Sequence, residues 1–273
     1  MPFAKTEALD TYYESHGEGR PLVLLHGGGG NHLAWYQQVP HFSTRYRVIT
    51  VDLPGFGRSR SASGEYSHAD HVTAVLSVLD HAGIDRAFLV TQSMGGYSGL
   101  TLAVDRPDRI VGLAMASNLS PVGDEISALD QIGRDAIRDL PVKDFLLTKQ
   151  FQETDPDKVF LFFQVGSFNV TGPGKSVPSR NPLKNSVPVR KIRDAIARGT
   201  HITIIQGTAD VMMHPPAYDR LRELAPELDI QMVEGAPHSD YWENPERFNG
   251  VIDAILDEAF PAQISEASAH IAN

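Results

Sequence analysis

The segment FLVTQSMGGYSG, residues 88–99, determines how the rest of the sequence is interpreted. It begins with an apolar run that is typical of a buried strand and ends at Ser93. Gly95 and Gly96 follow, and small residues are what a sharp strand-to-helix turn requires where the backbone and a new helix crowd together. Such a turn exposes the serine hydroxyl. The pattern alone is equally compatible with a serine that caps the next helix.

Thr91 does not fit the simplest version of this turn. It stands two residues before Ser93, where a very tight turn is expected to have glycine. A β-branched side chain suits the strand but needs space from a facing neighbour. We expect a tolerated variation that leaves the turn in place.

Composition limits the classes of function that the chain can have. Its 273 residues fit one large α/β domain or a core with one insertion. The formal charge of -10 argues against nucleic acid or an anionic membrane as a main partner. The absence of cysteine excludes disulfides, thiolate metal sites and cysteine nucleophiles. The opening residues lack the layout of a signal peptide and no apolar run reaches membrane-spanning length, so we expect a cytoplasmic protein without a membrane span.

Short apolar runs alternate with helical patterns along the chain. The predicted strands are residues 21–25, 46–51, 87–91, 110–115, 201–206 and 230–233. These runs are continuous rather than alternating, which predicts an α/β fold with a mostly parallel sheet and helices on both faces. Residues 1–15 are expected to add an antiparallel pair at one edge.

One region interrupts the alternation. From Leu119 to Arg190 the spacing is irregular, and an insertion of this length is more often a lid than a loop. We predict a helical lid at 119–190, inserted after the sixth strand, and a core that comprises residues 1–118 and 191–273.

Three side chains with complementary chemistry follow predicted strands. Ser93 is the first in the chain, Asp210 follows the strand at 201–206, and His238 follows the strand at 230–233. Each alone has an ordinary explanation as a cap, a turn former or a surface residue. Together they occupy the edge of the sheet where α/β proteins build their sites. The conjunction predicts a nucleophile, a base and a carboxylate in one site.

Five segments resemble the α/β-hydrolase superfamily. They are LLHGGGG (24–30), VDLPGFGRS (51–59), TQSMGG (91–96), GTADVMMHP (207–215) and GAPHSDYWENPERFN (235–249). The resemblance implies that Ser93 is the nucleophile, that His238 is the general base and then acid, and that Asp210 orients His238. It assigns the oxyanion hole to the backbone N–H groups of Gly28 and Met94.

The resemblance also narrows the reaction. Haloalkane dehalogenases and epoxide hydrolases use aspartate at the nucleophile position, and the H-G-G-P-G run of proline iminopeptidases is absent. We predict a serine hydrolase that cleaves a carboxylic ester or lactone of a small, largely apolar substrate through an acyl-enzyme. A carbon–carbon bond hydrolase that acts on a dienone or β-diketone is the alternative, because that group also has a glycine-rich oxyanion loop. A weakly catalytic or non-catalytic small-molecule binder on the same fold is a further alternative.

Residues near the glycine loop and in the lid are candidates for the substrate pocket. They are Gly27, Gly29, His32, Trp35, Phe162, Phe163 and Phe168. Packing in the core or within the lid explains the aromatic residues equally well.

An acidic dienone would favour a basic residue over the site. The candidates are Lys175, Arg180, Lys184, Arg190, Lys191 and Arg193, although a solvated cationic surface is the simpler interpretation. We expect no metal and no cofactor, since no H-x-x-x-H pair appears with a nearby carboxylate on a helix. The expected partner is a small-molecule substrate, and the expected state is a monomer or homodimer.

Overall fold

The computed structural model describes residues 2–169 and 186–260 of the chain. The strands in this part are β1 (Phe3–Lys5), β2 (Leu9–His16), β3 (Arg20–Leu25), β4 (Tyr46–Val51), β5 (Arg60–Ser61), β6 (Ala87–Gln92), β7 (Ile110–Ala116), β8 (His201–Gly207) and β9 (Asp229–Val233). They form one sheet in the order β1-β2-β4-β3-β6-β7-β8-β9, with β5 paired to β2.

Helices fill most of the connections. A short 3-10 helix (His32–Trp35) precedes α1 (Gln38–Phe42), and the others are α2 (His68–His81), α3 (Gly95–Asp105), α4 (Asp124–Ala136), α5 (Val142–Leu146), α6 (Lys149–Thr154), α7 (Pro156–Ser167), α8 (Val189–Ala197), α9 (Pro215–Leu224), α10 (Asp240–Glu243) and α11 (Pro245–Ala259). None of these helices has the length and apolarity needed to cross a bilayer.

The sheet has the predicted mixed character. Pairing is parallel from β4 through β3, β6, β7 and β8 to β9. At the edge formed by the start of the chain, β2 pairs antiparallel with β1, with β5 and with β4. All six predicted strands are present, and their boundaries are shifted by one residue at most. The added residue is Arg20 in β3 and Gly207 in β8.

Burial on both faces explains the continuous apolar runs. In β3, Val23 and Leu25 join the core cluster that also contains residues of α2 and α3. Leu22 and Leu24 point to the opposite face and join a second cluster that contains residues of α11. A strand covered on both faces needs apolar residues at every position rather than at alternate ones.

The predicted insertion begins after β7, which is the sixth strand if the two-residue β5 is set aside. Its helices in the described part are α4 to α7, and α8 lies at the predicted boundary. The helix α4 packs against α9 of the core, whereas α7 contacts the 3-10 helix and receives a hydrogen bond from Asn31 Nδ2 at Val165 O, 2.7 Å. The division at 119 and 190 stays a prediction, and residues 170–185 lie outside the described part.

Candidate active site

Ser93 lies in a strained turn at the carboxyl end of β6. Its φ is 46°, in the left-handed region that non-glycine residues rarely occupy. Ser93 N–H donates to Ala116 O of the neighbouring strand at 2.9 Å, which fixes the turn against the sheet. A Cβ on Gly95 would lie 2.5 Å from Leu25 O, so the next helix can start this close only with glycine there. The sharp strand-to-helix turn is therefore present.

Thr91 is accommodated by a glycine on the facing helix. A Cβ on Gly99, in α3, would lie 2.6 Å from Thr91 Cγ2, closer than carbon atoms approach. The space that a small residue at position 91 would normally provide is thus provided by Gly99. The Thr91 hydroxyl is buried and has no hydrogen-bond partner in the described residues, so its accommodation is steric only.

The glycine loop after β3 directs one backbone N–H away from the protein's own acceptors. Gly27 O accepts hydrogen bonds from His26 Nδ1 at 2.8 Å and from Gly30 N at 3.1 Å. A trans peptide places its N–H opposite its carbonyl, so the N–H of Gly28 points the other way. Within the described residues this N–H has no acceptor. His26 Nε2 accepts from Leu53 N at 3.1 Å, so both ring nitrogens of this histidine are used in structural hydrogen bonds.

The peptide after Ser93 has the same arrangement. Ser93 O accepts from Gly96 N at 2.9 Å and from Asn118 Nδ2 at 2.8 Å. Because the carbonyl is bound on one side, the N–H of Met94 points to the other, and it too has no acceptor within the described residues. The two N–H groups that the resemblance assigns to an oxyanion hole are thus both available to a ligand.

His238 and Asp210 form a buried pair at the ends of β9 and β8. His238 Nδ1 lies 2.8 Å from Asp210 Oδ2, and both side chains are about 2% exposed. A carboxylate only accepts, so Nδ1 carries the proton and Nε2 is left to act as an acceptor.

Asp210 is held by further donors, Met212 N at 2.9 Å and Gln206 Nε2 at 3.1 Å. Burial alone would raise the pKa of Asp210, but the charge and hydrogen bonds of His238, with those of Met212 and Gln206, lower it below its ordinary value. Asp210 is therefore an ionised carboxylate at neutral pH, able to stabilise an imidazolium at His238.

Gln92 connects the three loops of the site. Its Nε2 donates to His238 O at 3.2 Å, and its Oε1 occupies the space that a Cβ on Gly27 would need. No hydrogen bond within the described residues joins Ser93 Oγ to the ring of His238. Such bonds are often long in ligand-free enzymes and shorten when a substrate binds.

Sequence reasoning missed Gln92, Gln206 and Asn118 as site residues. Their positions in the sequence could have identified them, because each lies at or just past the carboxyl end of a predicted strand.

The predicted pocket residues lie in different environments. His32 is buried between two carboxylates, with Nδ1 2.7 Å from Asp52 Oδ1 and Nε2 3.6 Å from Glu14 Oε1. Trp35 is fully buried, and its ring contacts those of Tyr241 and Phe248. These contacts are those of packing and structural hydrogen bonding, and a direct role in substrate binding stays a prediction for both.

The lid aromatics divide into one packed and two exposed residues. Phe162 packs edge-on against Trp242, four residues after His238, with ring centroids 5.1 Å apart. Phe163 and Phe168 are 38% and 65% exposed. Phe162 is therefore the lid candidate in contact with the segment that follows His238, while Gly27 and Gly29 lie in the glycine loop itself.

The basic residues at the end of the predicted lid are engaged elsewhere. Arg190, Lys191 and Arg193 pair with Asp194, Asp105 and Glu227, and Lys175, Arg180 and Lys184 lie outside the described residues. In the part of the chain that the structure describes, no three histidine or acidic side chains converge as metal ligands would.

Comparison with known proteins agrees with this architecture. A family model described as the alpha/beta hydrolase fold matches residues 20–136. The candidate carbamate hydrolase RutD of Azorhizobium caulinodans is 35% identical over 43% of this chain, but the match spans only 44% of that relative. RutD of Caulobacter vibrioides is 28% identical over 91% of this chain and 96% of its own length.

Two further matches differ in the reaction that their names state. The 2-hydroxy-6-oxononadienedioate/2-hydroxy-6-oxononatrienedioate hydrolase of Paraburkholderia phymatum is 42% identical over 39% of each chain. The crystal structure of the enol-lactonase from Burkholderia xenovorans superimposes with a TM-score of 0.72 and 25% identity, covering 93% of this chain and 99% of that one. The chain has the α/β-hydrolase fold, and residues 20–136 match the model of that family.

Proposed function

We propose that this hydrolase cleaves a carboxylic ester or lactone of a small, largely apolar substrate through a Ser93 acyl-enzyme. The observation that carries the proposal is the strained turn at Ser93, with φ of 46°. Strain of this kind persists where the surrounding structure enforces it, and it is concentrated at functional sites. In the proposed reaction the turn presents the Ser93 hydroxyl and the Met94 N–H to one substrate carbonyl.

Acylation follows from the roles of these groups. Ser93 Oγ attacks the carbonyl carbon while His238 Nε2 takes the hydroxyl proton, and Asp210 stabilises the resulting imidazolium. The carbonyl oxygen becomes an oxyanion that accepts from Gly28 N–H and Met94 N–H. Each such donor contributes on the order of 3 kcal/mol to transition-state stabilisation. The intermediate collapses when His238 returns the proton to the leaving alkoxide.

Deacylation repeats the chemistry with water as the nucleophile. His238 removes a proton from water, which attacks the acyl carbon, and Ser93 then leaves with the proton that His238 supplies. In a lactone the leaving alcohol stays attached to the acyl group, so the product is a single hydroxy acid. The buried Asp210–His238 pair serves both half-reactions without rearrangement.

A carbon–carbon bond hydrolase is the second candidate. The 42% identity of one segment with a 2-hydroxy-6-oxononadienedioate/2-hydroxy-6-oxononatrienedioate hydrolase supports it. An acidic dienone calls for a cation near the site. Of the six candidate cations, the three in the described residues, Arg190, Lys191 and Arg193, are paired with carboxylates. Among the described residues this favours an ester or a lactone as the substrate.

A substrate panel separates the candidates. The purified chain is assayed with p-nitrophenyl esters of two to eight acyl carbons, with γ- and δ-lactones, and with a 2-hydroxy-6-oxo-dienoic acid. We expect turnover of esters or lactones and a drop in kcat of roughly 10⁶-fold in Ser93→Ala. Ser77→Ala is the matched control, because Ser77 only donates to Ala74 O within α2.

Consumption of the dienone without ester or lactone hydrolysis would show that the second candidate is correct. If Ser93→Ala keeps the activity of the wild type, both enzymatic candidates are contradicted. Binding without turnover of any substrate would favour a non-catalytic small-molecule binder.

A further inference from the structure

Asn118 contacts the turn at Ser93 from the side opposite to the Met94 N–H. It follows β7, is 2% exposed, and donates from Nδ2 to Ser93 O at 2.8 Å. The only other donor to this carbonyl in the described residues is Gly96 N, within the first turn of α3. Asn118 is thus a side chain that holds the very peptide whose N–H is assigned to the oxyanion hole.

The orientation of the Asn118 amide is determined by its surroundings. Its Oδ1 accepts from Ser120 N at 3.0 Å and from Arg134 Nη2 at 2.9 Å. Both groups are donors only, so a reversed amide would direct its NH₂ at two other donors. The NH₂ group therefore faces Ser93 O.

Arg134 is fixed in turn by a buried carboxylate. Its Nε lies 2.8 Å from Asp130 Oδ2, and the Asp130 side chain is 4% exposed. Ser120 Oγ donates to the same oxygen at 2.7 Å. Every member of this chain has a partner, which is the condition under which a buried polar network is rigid.

The network acts on a planar group. Hydrogen bonds to a peptide carbonyl fix the peptide plane and polarise the amide, which makes its N–H a stronger donor. We propose that Asn118, oriented by Arg134, is a positioning residue for the reaction, one that aligns and polarises the Ser93–Met94 peptide for the developing oxyanion. The inference rests on the proposed function, because it needs a reaction that forms an oxyanion beside Met94 N–H.

This role predicts which kinetic constant changes. The oxyanion exists in the transition state and not in the bound substrate, so weakening its donor lowers kcat and leaves KM nearly unchanged. A residue that only stabilises the fold would alter the fraction of active protein and would not discriminate between a substrate and a transition-state analogue.

The test is Asn118→Asp. This substitution keeps the shape and the acceptor that faces Arg134 and Ser120, and Arg134 keeps the new carboxyl ionised. It replaces the donor to Ser93 O with a second acceptor. We expect kcat for the best p-nitrophenyl ester to fall about tenfold, less than the 10²–10³-fold that removal of an oxyanion donor costs. The affinity for a methyl trifluoromethyl ketone, which forms an oxyanion at Ser93, should fall by the same factor while KM changes less than about threefold.

Two further variants complete the experiment. Arg134→Lys keeps a cation for Asp130 but loses the planar contact with Asn118, and we expect a smaller change in the same direction. Arg138→Gln, on the surface beside Asp135, is the matched control and should behave as wild type. If Asn118→Asp does not fold, Arg134→Lys decides the question by the same two measurements.

Wild-type kcat and ketone affinity in a folded Asn118→Asp variant would overturn the inference, as would a rise in KM at constant kcat. Failure of the proposed function gives a different result, in which Ser93→Ala keeps the activity of the wild type. The two failures are therefore distinguishable in one set of assays.

Discussion

At the scale of single residues, Ser93 depends on neighbours that leave space. Gly95 lets α3 begin against Leu25 O, and Gly99 leaves the volume that Thr91 Cγ2 fills. The turn motif around Ser93 was predictable because it is local in sequence. The pairing of Thr91 with Gly99 was not, since it depends on how α3 packs on β6. Both residues were visible in the opening segment, but only the helix geometry brings them together.

The Thr91–Gly99 contact predicts a strong coupling between two substitutions. Gly99→Ala should destabilise the protein by about 1–3 kcal/mol, because its Cβ meets Thr91 Cγ2. In a Thr91→Ala background the same change should cost much less, with a residual contact to Leu113 Cδ1 at 3.2 Å. The measurement is the free energy of unfolding of all four proteins by denaturant. If the two substitutions have additive effects on the free energy of unfolding, the contact between residues 91 and 99 is not the cause of the destabilisation by Gly99→Ala.

At the scale of elements, α4, the first helix of the predicted insertion, packs against the core. The helix α4 supplies Arg134 and Asp130 to the network behind Ser93. Its Gly133 lies against the backbone of the loop that carries Asp210, since a Cβ there would overlap Met212 O. The sequence placed α4 within a lid because the strand–helix alternation ends before it. Periodicity reports which face of a helix is apolar but not what that face packs against.

The close approach of α4 to the acid loop predicts opposite effects at two helical glycines. Gly133→Ala should lower stability by about 1–3 kcal/mol, because the added methyl forces α4 away from Met212 O, and it should lower kcat by moving the Asp210 loop. Gly250→Ala, in α11, is the matched control, since nothing lies within 4 Å of an added Cβ. It should raise stability by up to about 1 kcal/mol through helix propensity. Thermal unfolding and ester hydrolysis of both variants measure these effects. If Gly133→Ala and Gly250→Ala change stability equally, the close contact of α4 with Met212 O is contradicted.

At the scale of the whole molecule, the sequence was sufficient to predict the mostly parallel sheet and the contact between Asp210 and His238. Continuous apolar runs predicted the parallel sheet, and strand-end positions predicted that Asp210 and His238 would meet. The polar groups that hold them were not predicted, because Gln92, Asn118 and Gln206 act through hydrogen bonds between distant segments. No sequence pattern distinguishes such an amide from one exposed to solvent.

Buried histidine makes the stability of the whole fold depend on pH. His71 is a fully buried residue of α2, where Nε2 donates to Pro54 O at 3.0 Å and Nδ1 has no partner in the described residues. Burial lowers the pKa of His71 to about 3. The unfolded chain binds this proton near pH 6.5. Stability contributed by neutral His71 is therefore complete above pH 6.5, and it falls with pH until the folded pKa is reached.

The variant His71→Gln keeps a donor for Pro54 O and removes this titration. The free energy of unfolding of the variant minus that of wild type should be about 2 kcal/mol larger at pH 5 than at pH 7.5, because only wild type is destabilised by the proton that its unfolded state binds. Urea unfolding at the two pH values measures the change, with Ser77→Ala as a control that does not titrate. A constant difference between His71→Gln and wild type would contradict a neutral buried His71.

In the proposed function Ser93 is a nucleophile activated by His238 and Asp210. Reaction of the folded chain with a fluorophosphonate, followed by mass spectrometry of the peptides, tests this role. We predict one adduct, on Ser93, no adduct in Ser93→Ala, and labelling at least about 10³-fold slower in His238→Gln. An intact chain that is not labelled and hydrolyses no activated ester, or one labelled at a different serine, would contradict the account.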